Sequence, residues 1–331
     1  MNPKLICLTP VLNEAWILDR FIRCTSLWAD YIIIGDQGST DGSVEIAKKY
    51  DKVIFIDNKK MSDFNETQMR APLFENARKI DGPKILFSLD ADEILTPNLK
   101  SLEWDTIRNS KPGTVISIQR NDLLPNGKYH NSGDYWCGYV DDGTPFVSGT
   151  IHAPRSIMQS GPEHDVISCK EIQMLHYKNM DKNRMMDRQR WYQCFELVNN
   201  INKPIPIFRR YHYLDAIKKE DQFNIPDWWA SEYAKHGIEI TSIIHKSEQQ
   251  WNRYIISYMI TYEASFFRHL NIWDVNWDEK ATSLGITHTK SFRDPRHAWE
   301  KAVNRWLINT QGKQEKIRVR IMEKILRKIY K

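Results

Sequence analysis

Ile85-Leu86-Phe87-Ser88-Leu89-Asp90-Ala91-Asp92-Glu93-Ile94-Leu95 passes from a hydrophobic run into three carboxylates within four residues. The first half reads as a strand buried on both faces of a parallel sheet. The second half is costly to bury, because a carboxylate taken out of water needs a partner or a metal. Carboxylates at the carboxyl end of a buried strand stand where open α/β sheets bind ligands. Clustered oxygen donors there suit a hard divalent cation carrying a phosphate-containing substrate.

The residues upstream supply the rest of such a sheet. Lys4–Thr9, Tyr31–Ile34, Val53–Ile56 and Lys84–Leu89 read as short strands. Helical spacing over Ala15–Trp28, a helix start at Ser39-Thr40-Asp41 and a helix over 66–80, disturbed at Pro72, separate them. Strands alternating with helices predict a parallel sheet with right-handed crossovers, hence the α/β class. Three elements then end in polar clusters: Pro10 to Glu14, Asp36 to Asp41, and Asp90 to Glu93. In a parallel sheet these ends share one edge and line one crevice. Asp36 suits a base or ribose contact, whereas Asp41 reads first as a helix cap, and Asn13-Glu14 fits either role. No Gly-x-Gly-x-x-Gly and no Walker lysine motif is present.

Taken in order, Thr9-Pro10-Val11-Leu12-Asn13-Glu14, Asp36-Gln37-Gly38-Ser39-Thr40-Asp41-Gly42 and Leu89-Asp90-Ala91-Asp92-Glu93 resemble the successive signatures of family 2 glycosyltransferases. The resemblance covers about the first 95 residues. It implies a GT-A fold, in which a Rossmann-like, mostly parallel sheet is flanked by helices, and it implies Mn2+ or Mg2+ held by an Asp-x-Asp motif. Gln37 stands where the family commonly has a second acid, which leaves Asp36 as the base-contact candidate. Carried over residue by residue, the resemblance implies a nucleotide-sugar site of Pro10, Glu14, Asp36, Arg70 and Asp90, with Asp92 on the metal. Arg70 matches an arginine that the family places ahead of the Asp-x-Asp strand.

Downstream, His164-Asp165 and Leu175-His176-Tyr177 resemble a His-Glu pair and a second His in bacterial surface-polysaccharide sugar transferases, with Asp in place of Glu. That implies Asp165 as the general base of an inverting transfer, Glu163 being the alternative, and His176 as a third metal ligand. The expected activity is transfer of a sugar, hexosyltransferase-like, from a nucleotide-diphosphate sugar to a hydroxyl of a glycan or lipid-linked acceptor. A nucleotidyltransferase is the first alternative, but it would carry a Gly-rich, basic loop after its first strand. A non-catalytic nucleotide-sugar-binding relative is the second.

The remaining features bound this reading. The chain has 331 residues and a net charge of +5. Residues 313–331 hold eight Lys or Arg against two Glu, leaving 39 basic and 40 acidic residues elsewhere. Basic and aromatic residues are not interleaved as in known nucleic-acid modules, so no nucleic-acid partner is expected. Five widely spaced cysteines without a Cys-x-x-Cys pair argue against disulfides and zinc, and for a reducing cytoplasm. The first ten residues read as a strand rather than a leader. The expected division is a catalytic domain over 1–215 and a helical region over 216–331. In the tail, Ile317, Ile321, Ile325 and Ile329 recur every four residues among Lys and Arg. Such a helix either docks on the protein or makes peripheral contact with the inner face of an anionic membrane. Trp136, Trp191, Trp228, Trp229 and Trp251 are candidates for stacking on sugar rings, core packing being the commoner role. The adjacent Trp228 and Trp229 cannot share one helix face.

Overall fold

A computed structural model describes residues 2–59, 65–147, 155–157, 165–242 and 250–330. In chain order its elements are β1 (Lys4–Val11), α1 (Leu18–Thr25), β2 (Tyr31–Asp36), α2 (Ser43–Ala47), β3 (Val53–Asp57), α3 (Glu66–Arg78), β4 (Lys84–Ser88) and β5 (Glu93–Leu95). Then follow α4 (Glu103–Arg108), β6 (Val115–Leu123), β7 (Lys128–Val140), β8 (Val166–His176), α5 (Lys182–Val198) and α6 (Pro204–Tyr211). The chain ends with β9 (Phe223–Asn224), α7 (Asp227–Ala234), α8 (Gln250–Tyr262), α9 (Trp277–Ser283), α10 (Ala298–Asn309) and α11 (Ile317–Ile329). The α/β class expected from the sequence is the class observed.

The strands form a nine-stranded sheet in the order β3-β2-β1-β4-β7-β6-β8-β5, with β9 added to β7. The first four positions are parallel. Alternate residues of β1 enter opposite cores: Leu5 and Cys7 pack with Phe21 and Ile22 of α1, while Ile6 and Leu8 pack with Leu73, Phe74 and Ala77 of α3. This two-sided burial explains the continuous apolar runs. From β1 the chain passes through α1 to β2 on one side, and after β3 it returns through α3 to β4 on the other. The crevice outside the carboxyl ends of β1 and β4 is therefore the topological switch point. Beyond β4 the sheet is mixed, with β7 antiparallel to β4 and β6, and β8 parallel to β6. Pro72 does not break α3; Asn65 caps that helix by accepting the Gln68 N–H, and Asn76 donates to the Pro72 carbonyl at 2.8 Å.

Two compact units are present, Met1–Asp181 with Phe223–Ser247, and Lys182–Gln222 with Glu248–Lys331. The single expected cut after residue 215 does not describe this division. The first unit reclaims a downstream segment because β9 pairs with β7 and because Trp229, Tyr233, Ile238 and Ile240 belong to its core. Trp229 is buried and its neighbour Trp228 is exposed, as their positions on one helix require. All five cysteines are free and buried.

Candidate functional site

The crevice is floored by two loops laced to each other. Asn13 takes a left-handed backbone, φ +56°, a conformation that Asn tolerates better than most residues. Its N–H donates to Ser39 Oγ at 2.9 Å, and its Oδ1 accepts the Thr40 N–H at 2.7 Å. Glu14 N–H donates to Ser43 Oγ and Ala15 N–H to Asp41 Oδ2, both at 2.9 Å. Asp41 also accepts from the Ser43 N–H and hydroxyl. The loop after β1 and the loop after β2 are thus one hydrogen-bonded body, and Asp41 is a brace within it. Asp36 is buried, and its carboxylate accepts the N–H groups of Gly38 and Ser39 at 3.0 and 3.2 Å. Pro10 pairs with Gly35 in the β1–β2 register, at the mouth of the same crevice. Glu14 Oε2 accepts the Trp16 indole N–H at 2.5 Å.

A buried network of ions stands beside these loops. Arg70, fully enclosed on α3, donates from Nε to Glu66 at 2.9 Å, from Nη1 to Ser88 Oγ at 3.0 Å, and from Nη2 to Asp90 Oδ1 at 2.5 Å. Arg155 reaches Asp90 Oδ2 at 2.5 Å through Nη2 and pairs with Glu93 Oε2 through Nη1. Burial alone would raise the Asp90 carboxyl, but Arg155 and Arg70 outweigh it and hold the group below the usual carboxylate range. Burial opposes the charge on both arginines too, and the surrounding carboxylates more than restore it.

The next constellation comes from strand pairing. Antiparallel β5 and β8 place Glu93 opposite His176, and parallel β6 and β8 place Asp122 opposite the same histidine. His176 Nε2 lies 3.6 Å from Asp92 Oδ1 and 4.0 Å from Glu93 Oε1. His176 Nδ1 lies 2.8 Å from Asp122 Oδ1. Asp122 is fully buried, with Lys178 Nζ at 2.9 Å and Arg120 Nε at 3.6 Å. Burial works to raise its carboxyl, and Lys178, His176 and Arg120 override that and hold it far below the usual range. The Asp122 carboxylate at Nδ1 orients the ring so that Nε2 is turned toward Asp92.

These donors fit a hard divalent ion in part. Glu93 Oε1 is buried without a hydrogen-bond partner, and Asp92 and His176 converge near it. No group of three His, Cys, Asp or Glu side chains with metal-holding spacing occurs among the described residues. Mg2+ is usually bound through one or two carboxylates with its remaining positions on water and substrate phosphate, and Asp92 is such a carboxylate.

The structure therefore brings Asp90, Arg70, Asp92 and His176 into one cluster, with Pro10 and Asp36 at the carboxyl ends of β1 and β2 and Glu14 on the loop after β1. It does not bring Asp165 there. Asp165 precedes β8 at the end opposite His176, largely exposed, 3.6 Å from Lys111, and its carbonyl accepts the Val115 N–H. A strand's length, about 30 Å, separates it from His176. Glu163 and His164 lie outside the described residues. Glu93 has a place in the cluster from the sequence but no role there, and the sequence does not point to Glu66, Asp122, Arg155 or Lys178 as members. Asp122 did carry a signal of the same kind as Asp90, a charged group closing an apolar strand after Val115–Ile118. Arg155 carried none, since no strand or helix pattern in the sequence leads to it.

No family model matches the chain. Among solved structures, glucosyl-3-phosphoglycerate synthase from Mycobacterium tuberculosis, in complex with Mn2+, UDP and glucosyl-3-phosphoglycerate, is 18% identical over 36% of this chain and 44% of its own, at a TM-score of 0.27. The chain thus matches less than half the length of that enzyme. The mannosyltransferase PcManGT from Pyrobaculum calidifontis, in complex with GDP-Man and Mn2+, is 10% identical over 95% of this chain and 87% of its own, at 0.36. A 4-diphosphocytidyl-2C-methyl-D-erythritol synthase is 12% identical over 77% and 97%, at 0.27. Likenesses this distant do not assign an activity, and the functional reading rests on the site itself.

Proposed function

We propose that the first unit is a metal-dependent glycosyltransferase of GT-A type. It takes a sugar from a nucleoside-diphosphate sugar and transfers it, with inversion, to a hydroxyl of a glycan or lipid-linked acceptor. The observation that carries the reading is the approach of Asp92 to His176 Nε2 beside the switch-point crevice, with Asp122 behind the histidine. Asp92 and His176 would hold Mn2+ or Mg2+. When bound, that ion acts as a Lewis acid and neutralises charge on the departing diphosphate.

The protein's own groups account for the rest of the donor site. Asp122 keeps the imidazole turned so that Nε2 faces Asp92. Arg70 and Arg155 set the charge and position of Asp90, which faces the ribose side of the donor. Pro10, Glu14 and Asp36 line the nucleotide end, with the Asp36 carboxylate fixing the turn at Gly38 and Ser39. Asp165 has no part in the proposed chemistry, since it stands at the wrong end of β8.

The test is a panel of nucleoside diphosphates and their sugars, with and without Mn2+ or Mg2+, read by thermal stabilisation. At least one nucleotide should stabilise the protein only when metal is present, and Asp92→Asn should abolish that stabilisation. Absence of any metal-dependent stabilisation would overturn the donor site. Product analysis separates the alternatives: release of a nucleoside diphosphate from a nucleotide sugar marks glycosyl transfer, release of pyrophosphate from an added nucleoside triphosphate and sugar phosphate marks nucleotidyl transfer, and binding without turnover marks a non-catalytic relative.

A further inference from the structure

The second unit carries a surface that the donor site does not explain. Helix α11 lies on α6 through Leu326 and Tyr330, which join Ile205, Phe208 and Leu307 in a small core. Glu323 is buried on the same side, and Arg209 Nη2 pairs with it at 2.7 Å. The docked face is therefore Val319, Glu323, Leu326 and Tyr330, not the isoleucine stripe. Ile317, Ile321, Ile325 and Ile329 are 73%, 55%, 47% and 57% exposed, and Met322 beside them is 43% exposed. At about 100° per residue, the centre of the stripe points roughly 150° away from the docked face. An exposed apolar band of this length on a soluble surface marks an interaction site.

Charge and spacing select what covers it. Arg320, Lys324 and Lys328 are exposed along one flank of the band, and Arg318 stands within it. The partner must accept both apolar side chains and a row of cations. A second copy of the same helix fits poorly. A strict four-residue spacing carries the stripe around the helix by about 40° at each step, whereas a coiled-coil seam needs a mean spacing of 3.5. Pairing two copies would also bring the two cationic flanks together. A flat, negatively charged apolar boundary meets both demands, because long cationic side chains reach the headgroups while the isoleucines enter the acyl region. No helix among the described residues is long and apolar enough to cross a membrane, so contact here would be in the plane of the interface.

We infer that the outer face of α11, Ile317, Ile321, Ile325 and Ile329 with Arg320, Lys324 and Lys328, is a docking surface for an anionic lipid bilayer. It is held in the exposed position by the Leu326, Tyr330 and Glu323 contacts to α6. The inference is independent of the donor-site reading, and each can fail without the other.

The experiment is flotation of the full chain with phosphatidylcholine vesicles, with and without phosphatidylglycerol, at low and high salt. The expected result is binding to phosphatidylglycerol-containing vesicles that weakens with salt, at about fivefold per cation lost. Ile321→Asp with Ile325→Asp should reduce partitioning at least tenfold while leaving the melting temperature unchanged, because both side chains are already in solvent. Arg320→Glu with Lys324→Glu should reduce it comparably and remove most of the salt dependence. Wild-type chain that stays unbound at low salt would overturn the inference, as would the double aspartate variant floating like the wild type. A wild-type dimer in sedimentation velocity that the same variant dissociates would also overturn it, by assigning the face to a second copy.

Discussion

Asp122 Oδ1 lies 2.8 Å from Nδ1 of His176, although 54 residues separate the two in the chain. Parallel pairing of β6 with β8 brings them together, and the imidazole's other nitrogen is thereby turned toward Asp92. A carboxylate that holds a ligating histidine is worth roughly 10–100-fold in metal affinity where it has been removed from such sites. Asp122→Asn should weaken Mn2+-dependent nucleotide stabilisation by that factor. The measurement is a metal titration followed by thermal shift, and Asp122→Glu should recover part of the loss. An unchanged metal midpoint in Asp122→Asn would remove Asp122 from the proposed donor site.

Arg70 is enclosed and donates to Glu66, Ser88 and Asp90 at once. Replacing it by methionine keeps much of the volume but leaves Glu66 without its guanidinium and Asp90 with Arg155 alone. Breaking a buried pair by removing one partner costs about 3–5 kcal/mol. Urea unfolding of Arg70→Met should show a loss in that range. A loss below about 1 kcal/mol would mean that the carboxylates find water or other partners.

Gly138 sits between β4 and β6, paired with Phe87 on one side and Ile116 on the other. A Cβ built there would stand 2.8 Å from Ile116 Cβ and 3.1 Å from Phe87 Cε1. Ile116 Cβ is fixed by the backbone, so β6 itself must shift. Gly138→Ala should destabilise by about 1–3 kcal/mol, the usual cost of overpacking. In the Ile116→Ala background the penalty should remain, since the Cβ at 116 stays, although the neighbouring Cδ1 contact is gone. Denaturant midpoints of the two single variants and the double variant decide it, and full relief in the Ile116→Ala background would contradict the backbone explanation.

In the second unit, Arg190 clamps Asp274 with Nε at 2.9 Å and Nη2 at 2.5 Å. Burial tends to raise the Asp274 carboxyl, and the hydrogen bonds and charge of Arg190 outweigh it, so the folded group titrates lower than the unfolded one. The unfolded chain binds the extra proton first as pH falls through about 3.9. The pair's contribution is therefore complete above that value and is lost as pH falls further toward the folded value. Asp274 is about half exposed, so the effect is small, about 0.5–1 kcal/mol. Asp274→Asn should lie below the wild type by that amount at pH 7, and the gap should narrow by pH 3. Urea midpoints at pH 7, 5, 4 and 3 would show it, and a gap that widens in acid would contradict the assigned sign.

What the sequence by itself determined is the parallel half of the sheet and the three clusters at its carboxyl edge. Those features are local: apolar runs of strand length, helical spacing between them, and polar residues where each run stops. Thus β1, β2, β3 and β4 were legible to within two residues, and so were the strand ends and loops bearing Glu14, Asp36 and Asp90. The tertiary structure alone decided which distant side chains complete the site. Asp122 reaches the cluster through strand register, marked in the sequence only as a charged group closing an apolar strand, and Arg155 leaves no trace in the sequence. Asp165 fell away for the same reason, since nearness along the chain to His176 says nothing about which end of β8 each occupies. The fate of α11 was likewise undecided by its pattern. Its isoleucines form the more regular stripe, but Val319, Leu326 and Tyr330 supply the face that fits α6, and a buried Glu323–Arg209 pair fixes that choice. Periodicity defines a helix and its apolar sides; only the complementary shape and charge of a neighbour decide which side is buried.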